Sequence, residues 1–75
     1  MNNAKLAISD LDMAIKLDSG LAVAFANRAF AWALLADNNR ANRDVESAVR
    51  LGVDRALLEA KVSEFRSRAA TSTDQ

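Results

Sequence analysis

The side chains with catalytic potential in this sequence are hydroxyls and carboxylates, because the chain contains neither histidine nor cysteine. Serines and two threonines, Thr71 and Thr73, are the candidate nucleophiles, but they have no imidazole base to activate them. Asp10 and Asp12 stand two residues apart, so on a helix they point to different sides and serve better as a solvated face beside Lys16. We therefore predict no enzyme activity, no cofactor and no metal site.

The charges of the chain cancel, since ten lysines and arginines are matched by ten aspartates and glutamates. A neutral chain exerts no long-range attraction on a polyanion, so we expect no nucleic-acid partner. No apolar run reaches the length of a membrane span, and Ser9 and Asp10 interrupt the N-terminal stretch before a signal-peptide core develops. We expect no membrane partner and, by default, a cytoplasmic protein.

The elements that position these side chains are predicted to be helices. The chain has 75 residues, of which 51% are hydrophobic and 27% charged, and it contains no proline and two glycines. This composition is typical of one small all-α domain. Caps and breakers predict four helices, from Asn3 to about Leu17, from about Leu21 to Ala36, from the cap Asp37 to Leu51, and from the cap Asp54 to about Ala69.

An internal repeat relates the first predicted helix to the third. A shift of 34 residues pairs Ala7 with Ala41, Asp10 with Asp44, Ala14 with Ala48 and Leu17 with Leu51. The residues between them keep their size or charge sign: Leu11 with Val45, Asp12 with Glu46, Ile15 with Val49, and Lys16 with Arg50. A simple helical bundle explains the apolar spacing but does not explain this offset.

The period and these residues resemble the tetratricopeptide repeat, a two-helix unit with small residues where its helices cross. Phe25, Ala29 and Trp32 match the large, small and large positions of its first helix. The small, large, small, large order of its second helix appears as Ala41, Val45, Ala48 and Leu51, and again as Ala7, Leu11, Ala14 and Leu17. The resemblance implies antiparallel helical hairpins of an α-solenoid. Residues 1–20 would be the second helix of a truncated repeat, 21–54 a complete repeat, 55–69 a capping helix and 70–75 a disordered tail.

The small residues at the helix crossing also predict the core. Ala29, Ala41 and Ala48 would let two backbones approach closely, while Phe25, Trp32 and Val45 fill the flanks. The last helix would bury Leu58, Val62, Phe65 and Ala69 and turn Arg55, Glu59, Ser63 and Arg66 outward. Five residues depart from the repeat pattern: Arg28 occupies a usually apolar position, Ala36 replaces a turn glycine, Asn38 replaces an aromatic residue, and Ser19 and Val53 stand where proline is common.

The stretch AVRLGVDRALLEA, residues 48–60, also resembles the turn of a DNA-binding helix-turn-helix, with Gly52 at the turn and Asp54 as the next cap. Its recognition helix would carry Glu59 and Glu64, which repel phosphates. The repeat interpretation uses the same residues and also explains the offset. We therefore favour a repeat boundary and keep DNA binding as a lesser alternative.

The resemblance implies a scaffold module that binds a peptide or partner protein in a groove lined by the first helix of each repeat. The expected groove residues are Val23, Asn27, Phe30, Leu34 and Lys61, with Ala26, Ala33 and Leu57 beside them. Asn27 matches the groove asparagine of carboxylate-clamp members, and Lys61, one period later, can meet a peptide carboxylate. Alternatively, the apolar members pack against the flanking helices.

The first predicted helix suggests a second function. Its polar stripe of Lys5, Ser9, Asp12 and Lys16 is narrow, and apolar residues occupy most of its remaining circumference. We expect the face formed by Ala7, Leu11 and Ala14 to be buried against another copy, in a two-fold dimer or by helix exchange. Self-association without peptide binding is therefore the alternative function.

Overall fold

The computed structural model describes residues 3–72, with side chains as far as residue 70, and these residues form four α-helices joined by short turns. The helices are α1 (Asn3–Leu17), α2 (Ala22–Leu34), α3 (Asn38–Arg50) and α4 (Arg55–Ser72). No strand occurs within residues 3–72. The predicted all-α fold of about four helices is confirmed.

Turns of the same kind end α2 and α3. After α2, the Ala36 amide donates to the Ala33 carbonyl at 3.0 Å, and the Asp37 amide donates to the Trp32 carbonyl at 2.9 Å. This pair of bonds defines a Schellman turn, which needs a left-handed residue just beyond the helix. That residue is Ala36, with φ of 60°, after α2 and Gly52, with φ of 110°, after α3. The turn explains why α2 ends at Leu34 rather than at the predicted Ala36.

Two aspartates begin the helices that follow these turns. The Asp37 carboxylate accepts a hydrogen bond from the Arg40 amide at 3.2 Å, and the Asp54 carboxylate accepts one from the Leu57 amide at 3.1 Å. Each bond satisfies an amide that has no partner within its own helix. Both predicted caps are confirmed. Asn3, also predicted as a cap, is the first residue of α1.

The end of α4 differs from the prediction. The helix continues to Ser72, whereas Ala69 was the expected end, so residues 70–72 of the predicted disordered tail are helical. Residues 73–75 of that predicted tail lie outside the described residues, as do Met1 and Asn2 of the predicted truncated repeat. No proline or glycine follows Ala69 to stop the helix, which accounts for its extension.

The central helix is α2, which packs against α1, α3 and α4, whereas α1 packs against α2 alone. The short connections make consecutive helices antiparallel, so α4 runs parallel to α2. Three hydrogen bonds fix α4 on α3: Arg55 donates two to the Glu46 carboxylate, at 2.7 and 3.0 Å, and Arg66 donates one to the Asn38 side-chain oxygen at 2.8 Å. Arg66, predicted to point outward, is therefore half-buried.

Alanines form the centre of the molecule. Ala29, Ala41 and Ala48 are completely buried, as predicted, which lets α2 and α3 lie close together. Val45 of α3 and the α4 residues Leu58 and Val62 complete the core. Ala69 is buried and Phe65 partly buried, so the predicted inner stripe of α4 is confirmed.

The flank of this crossing is more open than predicted. Trp32 is only half-buried, and the Arg40 guanidinium lies 4.9 Å from its ring centre. Phe25 is also half-buried, with the Arg28 guanidinium 5.5 Å from its ring centre. The side chains of these two arginines therefore cover part of each aromatic ring, through their apolar stems and through cation–π contacts. Within residues 3–72, no helix combines the length and apolar character needed to cross a membrane.

Candidate interaction surface

Arg28 joins three helices. Its guanidinium donates two hydrogen bonds of 2.8 Å to the Asp44 carboxylate of α3 and a third of 2.8 Å to the Asp12 carboxylate of α1. Asp44 is almost completely buried, whereas Asp12 is half-exposed. The paired bonds to Asp44 use the planar, forked geometry that suits an arginine and a carboxylate. This arginine holds α1 and α3 on the same side of α2.

The electrostatics of this cluster favour the charged arginine. Hydrogen bonding to Asp44 raises the pKa of Arg28 above its usual range, and Asp12 adds to the effect against the opposing effect of burial. Because the pKa of Arg28 is higher in the folded protein, its ion pairs stabilise the fold fully at any pH below the ordinary pKa range of arginine. This stabilisation is lost only when the pH rises above that range. The arginine side of the cluster therefore stays charged at every pH of biological interest.

Sequence reasoning missed this cluster. Arg28 was recognised only as a departure from an apolar position, and Asp12 was assigned to a solvated face. The available signal was the repeated aspartate, Asp10 and Asp44, together with a basic residue at a position that normally faces the helix crossing. An arginine inside a predicted core needs a carboxylate, and Asp44 was the candidate on the facing helix.

Asp12 fixes the rotation of α1 about its axis. With Lys5 and Ser9 it borders an open depression of about 350 Å³ that Trp32 and Arg40 also line. This polar edge of α1 therefore faces the side of the molecule on which α3 lies. By helical periodicity, the opposite side of α1 carries Ala7 and Ala14 and faces away from α3.

The predicted self-association residues of α1 lie on that opposite side or next to it. Ala7 and Ala14 are half-buried, and Leu11, which is also half-buried, lies between them and the α2 contact. Ile8 is the buried residue of α1. Leu6, Met13 and Leu17, which are well exposed, extend the apolar surface of this helix further from α2.

α2 has one narrow stripe that no neighbouring helix covers. Arg28 and Trp32 contact side chains of α3, while Ala26 and Ala33 are buried in the cluster that includes the inner residues of α4. The remaining side carries Val23, Asn27 and Leu34, all of which are exposed; Val23 is 68% exposed. Ala26 and Ala33, expected beside the groove, belong instead to the core.

Phe30 is the groove residue that the structure places differently. Its ring stacks on Phe65 of α4 with the ring centres 5.0 Å apart, and it packs against the core cluster. Since α4 covers much of this ring, Phe30 forms the floor between α2 and α4 rather than an open wall. The alternative in which apolar groove residues pack on a flanking helix is correct for this residue.

α4 supplies the edge on the other side of the stripe. Arg55 and Arg66 turn one side of α4 toward α3, so Leu57 and Lys61 lie on the side that faces away from α3. Leu57 is 70% exposed. The Arg55 guanidinium lowers the pKa of Glu46, but the pair is exposed to solvent and adds little to stability.

Seven residues therefore share one side of the molecule, opposite α3, and we call this surface the open face. Its members are Ala7 and Ala14 of α1, Val23, Asn27 and Leu34 of α2, and Leu57 and Lys61 of α4. The structure thus brings most of the predicted groove and self-association residues to a single side. Five of the seven residues are apolar, and Asn27 and Lys61 provide one amide and one ammonium group for orienting a ligand.

Comparison of the chain with protein-family models, curated proteins and solved structures finds no match in any of the three. The fold itself defines the class: an all-α protein built from antiparallel helical hairpins.

Proposed function

We propose that the chain is a tetratricopeptide-like interaction module that binds a partner protein or peptide on the open face. The observation that carries the proposal is the exposed stripe of α2. This helix is packed on its other sides by three helices, yet Val23 and Leu34 remain exposed on it, and Leu57 of α4 is also exposed. Exposed apolar side chains on a helix that is otherwise enclosed by its neighbours are characteristic of binding sites rather than of solvated helices.

The assignment to the tetratricopeptide class is supported by the repeat offset. Three of the four identical positions that repeat from α1 to α3 are the small residues Ala41 and Ala48, which pack on α2 in the core, and Asp44, which binds Arg28. α2 followed by α3 then corresponds to a first and a second helix of one repeat. α4, which packs on both, corresponds to the first helix of the next repeat.

The chemistry of the open face favours an apolar ligand with one oriented polar contact. Val23, Leu34 and Leu57 offer hydrophobic area to a helix or extended segment. The Asn27 amide can donate to and accept from a ligand backbone, and Lys61 can meet a carboxylate. None of these contacts requires a catalytic group, so the proposed activity is binding alone.

A displayed library of random short peptides tests this proposal with the full chain as bait. We expect selected peptides to bind the parent protein and to lose about tenfold or more in affinity with Val23→Asp or Asn27→Ala. Arg43→Ala, an exposed substitution on α3, is the matched control and should leave affinity unchanged. Phe30→Ala is a poor test because it removes the stack on Phe65. Peptides that bind all variants equally would place the site elsewhere.

Self-association through α1 is the second candidate, and the exposure of its large apolar residues favours it. Leu6, Met13 and Leu17 stand in solvent on a helix that has a single neighbour. A two-fold dimer would cover them together with Ala7, Leu11 and Ala14. Sedimentation equilibrium over a range of concentrations tests this candidate: a mass that doubles with concentration and returns to monomer with Leu6→Glu supports it, and a constant monomer mass refutes it.

A further inference from the structure

The internal repeat allows the open side of α1 to be compared with the equivalent side of α3, which α2 covers. On α3, Ala41 and Ala48 are 0% exposed and Asp44 is 4% exposed. One period earlier, Ala7 and Ala14 of α1 are half-buried and Asp10 is exposed. The same residue types at the same spacing are thus buried against α2 on α3, but are only partly covered within residues 3–72 on α1.

The covered copy shows which group the aspartate requires. Asp44 receives two hydrogen bonds from Arg28, which lies next to the buried Ala29 on α2. Within the described residues, Asp10 has no ion pair, and it stands between the apolar residues Ala7, Met13 and Ala14 on the surface of α1. A carboxylate in the middle of an apolar helix face is costly to cover unless a cation comes with the covering group.

We propose that the α1 part of the open face binds an amphipathic helix of a separate partner chain, and that an arginine of this helix pairs with Asp10. This inference rests on the proposed function, because it specifies the ligand class for one edge of the same surface. The partner helix would present an aromatic residue, then an arginine and a small residue, then a second aromatic residue. These stand in the order and spacing of Phe25, Arg28, Ala29 and Trp32.

A second copy of this chain fits Asp10 poorly. Its arginine with flanking aromatic residues at this spacing, Arg28, lies on α2, which is enclosed by α1, α3 and α4 and is unavailable for docking. If α1 instead packed on α1 of the second copy about a two-fold axis, two Asp10 carboxylates would lie in the same apolar interface. Like charges that approach in a desolvated contact oppose binding. Charge complementarity therefore favours a basic partner helix over a dimer in which two copies of α1 pack on each other.

The probe for this proposal is a peptide with the sequence of residues 21–36 and lysines added at both ends for solubility. Fluorescence anisotropy with the full chain measures its affinity. We expect Asp10→Arg to weaken binding about tenfold, because it replaces an ion pair with a repulsion. Ser9→Arg places the same side chain on the polar edge of α1 and should leave the affinity unchanged.

A peptide in which the arginine is replaced by aspartate completes the charge exchange. This aspartate peptide should bind the parent chain weakly. It should bind the Asp10→Arg variant about as tightly as the arginine peptide binds the parent chain. This pair of variants also distinguishes docking at position 10 from displacement of α2 by the peptide. A peptide that displaced α2 would place its aspartate beside Asp44, which is unchanged, and the two carboxylates would repel each other in every variant.

Three results would overturn the inference: no binding of the arginine peptide, affinity independent of the charge at position 10, or a dimer that excludes the peptide and persists in Asp10→Arg. If library-selected peptides still depend on Val23 and Asn27 in any of these cases, the proposed function survives without the arginine helix. If neither peptide class binds, both proposals fail.

Discussion

Arg28 links the placement of α1 and α3 around α2, because it bonds to a carboxylate on each. Replacing it with methionine keeps most of the apolar stem but leaves Asp44 buried without its cation. We expect Arg28→Met to lower the free energy of unfolding by about 3 kcal/mol, measured by urea denaturation. Asp12→Asn, at the half-exposed end of the cluster, should cost less than about 1 kcal/mol.

The double variant Arg28→Met with Asp44→Leu separates the loss of the ion pair from the burial of a lone charge. Both charges are then gone, and apolar side chains fill similar space, so most of the lost stability should return. If the single and double variants are equally unstable, packing around Arg28 matters more than its charge. If the single variant is as stable as the parent, the cluster has no structural importance.

Ala36 holds a backbone conformation that favours glycine. Its φ of 60° lies in the left-handed region, where an alanine side chain is strained. We expect Ala36→Gly to raise the free energy of unfolding by up to about 1 kcal/mol. Gly52→Ala is the matched reverse change, because an added Cβ there meets no atom within 4 Å and only the φ of 110° opposes it. Thermal unfolding should shift upward for the first and downward for the second, and shifts in the same direction would contradict this reasoning.

At the scale of elements, α1 and α3, which are related by the 34-residue sequence offset, offer an internal control for packing. Ala48 of α3 is completely buried, whereas Ala14, its counterpart on α1, is only half-buried. Ala48→Leu should cost about 1–3 kcal/mol because the added carbons separate α3 from α2. Ala14→Leu should cost less than about 0.5 kcal/mol, since the open face has room for it. Equal losses in the two variants would show that the face of α1 is already covered.

The element boundaries were largely predictable because they depend on local chemistry. Asp37 and Asp54 are short polar side chains before apolar periodic runs, and both form the predicted caps. The core alanines followed from the repeat, which aligns residues that share an environment. Local pattern does not determine how a helix is rotated between two neighbours. For this reason Phe30 was assigned to an open groove although α4 stacks a ring on it, and Arg28 was not matched with Asp44.

At the scale of the whole molecule, charge distribution argues against the helix-turn-helix alternative. Arg55, at the start of the would-be recognition helix, is bound by Glu46 and Glu59. With a net charge of zero, the chain has little counterion release to offer on binding a duplex. We expect no shift of duplex DNA in a gel at physiological salt and nanomolar protein. A sequence-specific shift under these conditions would revive DNA binding as the function.

The arrangement of helices also predicts an order of local stability. α1 packs on α2 alone and has one buried residue, Ile8, whereas α2 lies between three helices. An isolated helix of this length is marginal in water, so α1 should open without the rest of the fold. Native-state hydrogen exchange should give amides of α1 an opening free energy lower by about 1 kcal/mol or more than amides in the middle of α2.

Ile8→Ala tests this order directly, because it truncates the buried residue of α1 and leaves the core around Ala29 and Ala48 untouched. Exchange should accelerate in α1 and change little in α3 and α4. Adding a helix that docks on the open face should slow exchange in α1 before it affects the other helices, because binding stabilises the closed form. A single opening free energy shared by all four helices in both proteins would mean that α1 unfolds only with the whole domain.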